Sequence, residues 1–364
     1  MDVFVIGGGP AGLAAAIAAR QQGFGVTVAD GAKPPVDKAC GEGLLPDTLC
    51  ALEDLGIRLG ASDGFSFRGI RFVEGSLNAE AEFPRRNGIG VRRTLLHEML
   101  VERAQSAGVR FMWETPVVGI GDHKAVTSRG EIRTDWIVGA DGVHSRVRQW
   151  CGLEGGSSGM VRYANRRHYR VVPWSNHIEV HWADGVQAYV TPVESTSVCV
   201  VLLSRQADVR LISIKDRFPL LAQRLKKAPC IGAERGGVTL TRRLKSVYRG
   251  RVALVGDASG GVDAITGDGL SLSFQEAPAL AAAMQSGDLA AYQRDHRMLS
   301  KRPTQMAGWL ALLGSSAGLR ARTLGVLARH PDTFSRLLNI HTGAASAMEI
   351  ASAGTRFGWQ LVTA

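Results

Sequence analysis

Gly7, Gly9 and Gly12 stand at the spacing G-x-G-x-x-G, between a strand-like run, Asp2-Val3-Phe4-Val5-Ile6, and a helix-like run over 13–20. Each glycine has its own reason. Gly7 permits a tight turn, Gly9 lets a pyrophosphate approach the backbone where a Cβ would collide, and Gly12 lets helix and strand pack closely. The helix start then points free N–H groups and the positive end of its dipole at the phosphates. Gly25-Val26-Thr27-Val28-Ala29-Asp30 reads as a second strand closing on a carboxylate. Asp30 lies 18 residues beyond Gly12, about where this arrangement puts the acid that grips an adenosine ribose hydroxyl. Strand, glycines, helix, strand and acid, in that order, predict a dinucleotide site.

Two more glycine–acid turns follow strand-like runs. In Gly139-Ala140-Asp141-Gly142-Val143-His144-Ser145-Arg146-Val147-Arg148, the carboxylate beside Gly142 can orient a turn and hold a ribose or a bridging water. Val255-Gly256-Asp257-Ala258-Ser259-Gly260 is trailed by Thr266-Gly267-Asp268-Gly269 and a helix-like stretch over 270–284. No Cys/His spacing suits zinc or an iron–sulfur cluster, and no G-x-S-x-G nucleophile motif occurs. In Cys40-Gly41-Glu42-Gly43 the thiol is either a small buried residue or a reactive one, and Glu42 suits a cap on the helix that follows. His168, His177 and His181 fall in strand-like runs and read as surface or core histidines.

These turns need a scaffold, and the apolar patterning outlines one. The 364 residues suffice for a large core, in two intimately packed domains or one large one. A short helix is expected over 46–55 and strands over 65–83. A longer helix is expected over 94–107, where Leu95, Leu96, Met99, Leu100 and Ala104 share a face. Strand-like runs follow at 109–113, 117–121, 125–128 and 136–140. From 162 to 244 strands dominate, at 168–172, 177–182, 187–191 and 197–203, interrupted by a helix expected over 214–226. This texture predicts a β-rich substrate domain (65–87 and 161–249) inserted into a discontinuous dinucleotide-binding domain (1–64, 88–160 and 250–300). A helical C-terminal region follows over 301–364.

With these residues in place, the chain resembles the FAD-dependent superfamily that holds the aromatic hydroxylases (group A flavoprotein monooxygenases) and the geranylgeranyl reductases. The resemblance spans about 1–284. It rests on three fingerprints in the family's order: the N-terminal glycines, Asp141-Gly142 with Ser145 and Arg148, and Gly256-Asp257 with Gly267 and Gly269. It implies an α/β fold: a Rossmann-like FAD-binding domain of the glutathione-reductase type with an inserted β-sheet substrate domain and a helical C-terminal region. It also implies FAD held non-covalently. Asp257 would accept from ribityl hydroxyls, and the helix start behind Gly267, Asp268 and Gly269 would favour negative charge on a reduced flavin. Val91-Arg92-Arg93-Thr94 resembles the hydroxylases' arginine-led helix, in which Arg93 would contact FAD. There the run from Asp141 to Arg148 would touch both FAD and NAD(P)H. Gly260, the Thr266-Gly267-Asp268-Gly269 turn and the Cys40 loop are closer to the reductases. The sequence departs from the hydroxylases at Gly260, Ala264 and Asp268, and from the reductases' aromatic sheet motif at Ala188-Tyr189-Val190-Thr191-Pro192. The implied activity is that of an FAD oxidoreductase with NAD(P)H as electron donor. The preferred form is hydroxylation of a hydrophobic or aromatic small molecule through a flavin C4a-hydroperoxide. The alternative is reduction of isoprenoid C=C bonds, with Cys40 supplying a proton through water. A third form of the architecture, a prenyl carrier without catalysis, is opposed by the retention of Asp30, Asp141 and Asp257. Trp174, Trp182 and Tyr189 are expected to line an apolar substrate pocket.

Net charge is +10. No dense Lys/Arg block with interleaved aromatics supports a nucleic-acid partner, whereas attraction for NADPH or an anionic membrane surface fits. The stretch 301–336 carries six basic residues against Asp332, with Trp309, Leu310, Leu312, Leu313, Leu319, Leu324, Val326 and Leu327 able to form a helix face. Core packing is the first expectation for that face and peripheral membrane contact the second. Oligomeric state stays open. No signal peptide is expected ahead of the first strand, and the most apolar uncharged run, 303–319, is too diluted by Gly, Ser, Thr and Gln to read as a span. Five cysteines without paired spacing are expected as reduced thiols in a cytoplasmic protein.

Overall fold

The computed structural model describes residues 1–343, 345 and 347–363. Ala344, Ser346 and Ala364, which fall in the region expected to be helical, lie outside the described residues.

Val3, Phe4, Val5 and Ile6 are all buried, so the strand Asp2–Ile6 has apolar neighbours on both faces and sits centrally. It pairs in parallel with Gly25–Ala29 and Trp136–Gly139, Phe4 lying opposite Thr27 on one side and Ile137 on the other. Arg110–Met112 and Val252–Leu254 extend the sheet in parallel, and Tyr248–Arg249 closes one edge antiparallel. The helices Pro10–Gln21, Arg93–Ser106 and Gly269–Ser286 cover one face, through Leu13, Ile17, Leu96, Leu100 and Phe274 against Val3 and Val5. A three-stranded meander, Val117–Gly121, Lys124–Thr127 and Gly130–Arg133, covers the other against Phe4 and Ile6. Helices on one face and a meander on the other make this the glutathione-reductase type of dinucleotide fold. Side chains of this size contribute about 1.5–3 kcal/mol each when fully buried.

The inserted sheet has seven strands, in the order Cys230–Leu244, Gly156–Arg170, Ser197–Ser204, Val186–Glu194, His177–Ala183, Gly69–Glu74 and Leu77–Glu82. Alternation decides its two faces. Val186, Ala188, Val190, Val198, Val200 and Leu202 pack on Leu211, Ile214, Phe218 and Leu221, while Val180, Trp182, Val201 and Leu203 point the opposite way. The helix expected over 214–226 is two pieces, Ile214–Arg217 and Pro219–Leu225. Pro219 forces Phe218 out of the helical region, to φ −135° and ψ 69°. The strand Cys230–Leu244 had no counterpart in the sequence reading, because at the edge its residues are largely exposed and rich in Gly and Arg. A small sheet of Gly43–Leu44, Gly88–Gly90 and Phe65–Phe67 straddles the boundary expected at 64/65.

Four further helices, Leu289–Ser315, Ala317–Arg329, Pro331–His341 and Ala347–Thr363, lie over the second face of the inserted sheet through Leu313, Leu324, Leu327, Phe334 and Leu338. Buried Arg320 fastens them there: its guanidinium donates to Glu74 Oε1 at 2.7 Å, to Asp184 Oδ1 at 2.8 Å and to the Leu313 carbonyl at 3.1 Å.

Candidate active site

The three glycines of the first turn behave differently. A Cβ on Gly7, whose φ is +112°, would stand 2.4 Å from the Ala140 carbonyl oxygen, and one on Gly12 would stand 1.9 Å from that of Gly7. At either position a side chain would collide with backbone, so both glycines serve the packing of the turn itself. A Cβ on Gly9 would meet nothing within 4 Å, and its φ of −74° is open to any residue. The space above Gly9 therefore suits a group that presses onto the backbone at the start of the Pro10–Gln21 helix. Asp30 steadies this turn, with Oδ2 accepting from Gly8 N–H at 2.6 Å and Oδ1 from Ala32 N–H at 2.8 Å. From below, buried His97 places Nε2 2.8 Å from the Gly8 carbonyl; burial lowers its pKa, and that hydrogen bond opposes the shift.

In the second turn Asp141 Oδ2 accepts from Arg146 and Val147 N–H, at 2.7 and 3.1 Å, at the start of the Arg146–Trp150 helix, which Ser145 caps. Its Oδ1 is buried without a partner among the described residues. Arg148 is turned inward rather than toward a ligand. Its guanidinium donates to Val143 and Ala258 carbonyls at 3.0 and 3.1 Å and to Glu154, and so ties the second turn to the third. In the third turn Gly256 N–H donates to Glu276 Oε2 at 2.8 Å, and His296 Nε2 lies 3.0 Å from Ser259 Oγ. Burial pushes Glu276 up to about 8 and His296 down to about 4, so both are neutral between those values. Asp257 presents an accessible surface while protein closes round it on most sides. That crowding raises its pKa, with Lys38 and then Arg93 pulling it back. The crowding outweighs the accessible surface here, because that surface opens onto a confined cavity rather than bulk water.

The cavity has a volume of about 530 Å³ and draws the three turns together: Gly9, Gly142, Asp257, Gly267 and Gly269 border its polar end, with Lys38, Cys40 and Arg93. Arg93 opens its helix, is buried, and keeps Nε without a partner among the described residues. Gly7, Gly12, Asp30, Asp141 and Gly256 stand behind this wall and shape it. Asp268 faces elsewhere. Buried before the Gly269–Ser286 helix, its Oδ1 lies 3.6 Å from His341 Nε2, and it borders a second cavity of about 330 Å³ with Asp47 and Arg302. Burial raises the Asp268 pKa and His341 lowers it. His341 borders both cavities. The far end of the main cavity is apolar, walled by Phe72, Trp182, Trp309, Phe334, Leu338 and Phe357.

Glu42, expected to cap the helix that follows it, instead accepts at Oε1 from Arg93 N–H, at 2.9 Å, and so caps a helix that begins fifty-one positions on. Its φ of +59° is a left-handed conformation rare for a side chain of this size. Its Oε2 lies 2.6 Å from His168 Nε2, Arg166 stands 3.8 Å from Oε1, and Arg166 in turn pairs with Asp37. His168 is thus a core residue with an ionic partner. Glu42, His168 and Cys199 cluster tightly enough to be weighed as a metal site. The Arg166 guanidinium, 3.0 Å from His168 Nδ1, supplies the positive charge there instead. Cys40 accepts at Sγ from Glu42 N–H at 3.4 Å. Sequence spacing could not reveal this network, whose members lie 126 residues apart.

The family described as "FAD binding domain" matches residues 1–287. The chain belongs to that family. It is an FAD-dependent oxidoreductase, the class to which its named relatives belong. A menaquinone reductase of Mycolicibacterium smegmatis is 26% identical over 326 residues, 80% of this chain and 78% of the relative. A digeranylgeranylglycerophospholipid reductase of Methanopyrus kandleri is 27% identical over 305 residues, 75% and 77% of the two chains. A flavoprotein/dehydrogenase from Cytophaga hutchinsonii shares the fold at a TM-score of 0.79, with 21% identity over 94% of this chain and 93% of that one. A 2-methyl-3-hydroxypyridine-5-carboxylic acid oxygenase does so at 0.74, with 23% identity over 86% and 92%.

FAD fits the residues present. The bare space over Gly9 and Gly269, the unpartnered Arg93 Nε and the unpartnered Asp141 Oδ1 are features that the chain's own packing leaves unused. Of the aromatic residues expected around a substrate, Trp182 and Tyr189 border the cavity; the Tyr189 hydroxyl donates to the Ile265 carbonyl at 2.7 Å. Trp174 does not. It lies on the opposite face of the sheet, donates from Nε1 to Glu179 at 3.0 Å and stacks under Arg224. Its position in the loop before His177–Ala183 put it outside the alternation that sorts the strand residues.

Proposed function

We propose that this FAD oxidoreductase reduces C=C bonds of a long isoprenoid lipid, with NAD(P)H as the electron donor. One observation carries the reading: the cavity is continuous from the polar, glycine-lined end to an apolar end built by the inserted sheet and the C-terminal helices. A chain of apolar units threaded along that axis would present one double bond to the cofactor end while its remainder replaced water along the wall. Bound FAD supplies the hydride. The chain's residues hold the reactants and move the proton. Gly9 and the start of the Pro10–Gln21 helix would hold the pyrophosphate of FAD, Asp257 its ribityl hydroxyls, and Arg93 a negatively charged edge. Cys40 Sγ carries a proton to the substrate carbon opposite the one that takes hydride, so the pair of additions saturates the bond. The Glu42 N–H that bonds Sγ supports the thiolate left behind. The names of two relatives, a menaquinone reductase and a digeranylgeranylglycerophospholipid reductase, agree with such a substrate class.

Oxygenation is the second reading, favoured by the Arg93-led helix start and by walls that would keep water from a reactive oxygen adduct. Anaerobic mixing of the reduced protein with a short-tailed menaquinone decides between them. Flavin reoxidation with a saturated product, and no need for oxygen, is the expected result. Product formed only with oxygen, and carrying one oxygen atom, would move the assignment to a hydroxylase. A purified protein that neither retains nor takes up FAD would remove both.

A further inference from the structure

We propose that the outer face of the C-terminal helices, around the far opening of the cavity, docks on an anionic lipid bilayer. The proposal rests on the reading of the cavity as the site of a long apolar substrate, and names where that substrate enters. The cavity reaches the surface on this face. Trp309 borders it and is 54% exposed. Gly354 and Gly358 border it too, are exposed, and have nothing within 4 Å of where a Cβ would stand. The rim is therefore wide and carries little side chain. From the same two helices Leu312, Trp359 and Val362 project outward at 52%, 70% and 76% exposure. Single exposed apolar residues are ordinary, but four large ones stand on the two helices that wall one opening, and they form the apolar part of the proposed patch. Tryptophan suits the water–lipid boundary, because its ring is apolar and its N–H is not.

Charge selects the partner. Over 301–363, exposed Lys301, Arg302, Arg322, Arg329, Arg336 and Arg356 stand against the acids Asp332 and Glu349. Arg322 reaches the patch itself, donating to the Val362 carbonyl at 3.2 Å. Basic side chains beside an apolar face are drawn to anionic headgroups. Among the described residues no helix is long and apolar enough to cross a membrane, so the contact is with its surface. A bilayer also answers the opening, which leads from the patch into an apolar cavity and needs a partner that can release an apolar chain into it.

The test is sedimentation of the FAD-loaded chain with phosphatidylcholine vesicles, with and without phosphatidylglycerol. The wild type should sediment with the anionic vesicles and be released by salt. Trp359→Glu/Val362→Glu should lower binding by roughly tenfold or more. Arg322→Glu/Arg356→Glu should lower it by a similar factor on anionic vesicles alone. None of these four residues borders the main cavity, so flavin absorbance and circular dichroism should be unchanged. A wild type that stays in the supernatant of both vesicle types overturns the proposal, as do variants that sediment like the wild type. A concentration-dependent dimer, broken by Trp359→Glu/Val362→Glu and accompanied by no vesicle binding, would assign the face to a second copy. The readout needs no turnover. Failure of menaquinone reduction with vesicle binding intact would count against the proposed chemistry and leave the docking surface standing.

Discussion

At the glycine-lined end of the cavity the chain offers backbone and fixed charge; at the other end it offers exchangeable apolar side chains. The polar end is held by backbone fit and hydrogen bonds across three turns. Gly7 and Gly12 cannot carry a Cβ, Asp30 and His97 bind the two sides of Gly8, and Arg148 ties two turns together. The apolar end is assembled from elements far apart in the chain, such as Phe72 in the inserted sheet and Phe334 near the C-terminus, whose rings meet at 4.9 Å. The first end tolerates little change and defines the cofactor. The second can be repacked at moderate cost and defines what lies beside it.

The largest test strikes the residue that joins the two ends. Glu42→Ala would leave His168 and Arg166 buried beside an empty place and Arg93 N–H without its acceptor, and should cost about 3–5 kcal/mol in denaturant unfolding. A loss under about 1 kcal/mol would mean that the network is not shared between the ends. Next comes a contrast within the polar end. Gly12→Ala should destabilise the fold by about 3 kcal/mol, whereas Gly9→Ala should leave the melting temperature nearly unchanged and weaken FAD binding about tenfold or more in equilibrium titration. Equal effects on folding would erase the distinction drawn between the two glycines. At the apolar end Phe334→Ala should cost about 3 kcal/mol and leave FAD affinity alone.

A smaller effect concerns pH. Native Glu276 titrates at about 8 against an ordinary value of 4.5, so its stabilisation is complete below pH 4.5 and is lost as pH rises through about 8. His296, at about 4 against 6.5, contributes above pH 6.5 and loses that contribution as pH falls toward 4. Between pH 6.5 and 8 the Glu276 slope stands alone within this pair, at up to about 1.4 kcal/mol per pH unit. The wild type should therefore lose about 2 kcal/mol over that window, and Glu276→Gln should flatten the loss. Smallest in stability is Cys40→Ala, within about 0.5 kcal/mol of the wild type and equal to it in FAD retention. Its effect should be confined to turnover, and unchanged turnover would remove Cys40 from the proton step.

The same contrast explains what could be read from the sequence. The dinucleotide fold was legible because its signals are local: glycine spacing, an acid at a strand end and apolar runs such as Trp136–Gly139. Asp257 was singled out by the same kind of local signal and Arg93 by the family resemblance, and both border the cavity. Lys38, Glu42 and His341 were not, since each acquires its setting from elements brought together by folding. Trp174 was assigned to the cavity because an aromatic residue near a strand gives no sign of which face it takes. The Cys230–Leu244 strand escaped because an exposed edge carries no alternation to detect.

The position of Val252–Leu254 in the parallel sheet bears on biosynthesis. This strand pairs with Trp136–Gly139, although more than a hundred residues separate them and the bulk of the inserted sheet intervenes. The Gly256 turn and the Gly269–Ser286 helix follow it. A nascent polypeptide still lacking those last segments on the ribosome has only two of the three turns that close on the cavity, and on the proposed function only two of the three that would hold FAD. Prematurely terminated products should accordingly be pale, and capture of the prosthetic group belongs to the final third of translation.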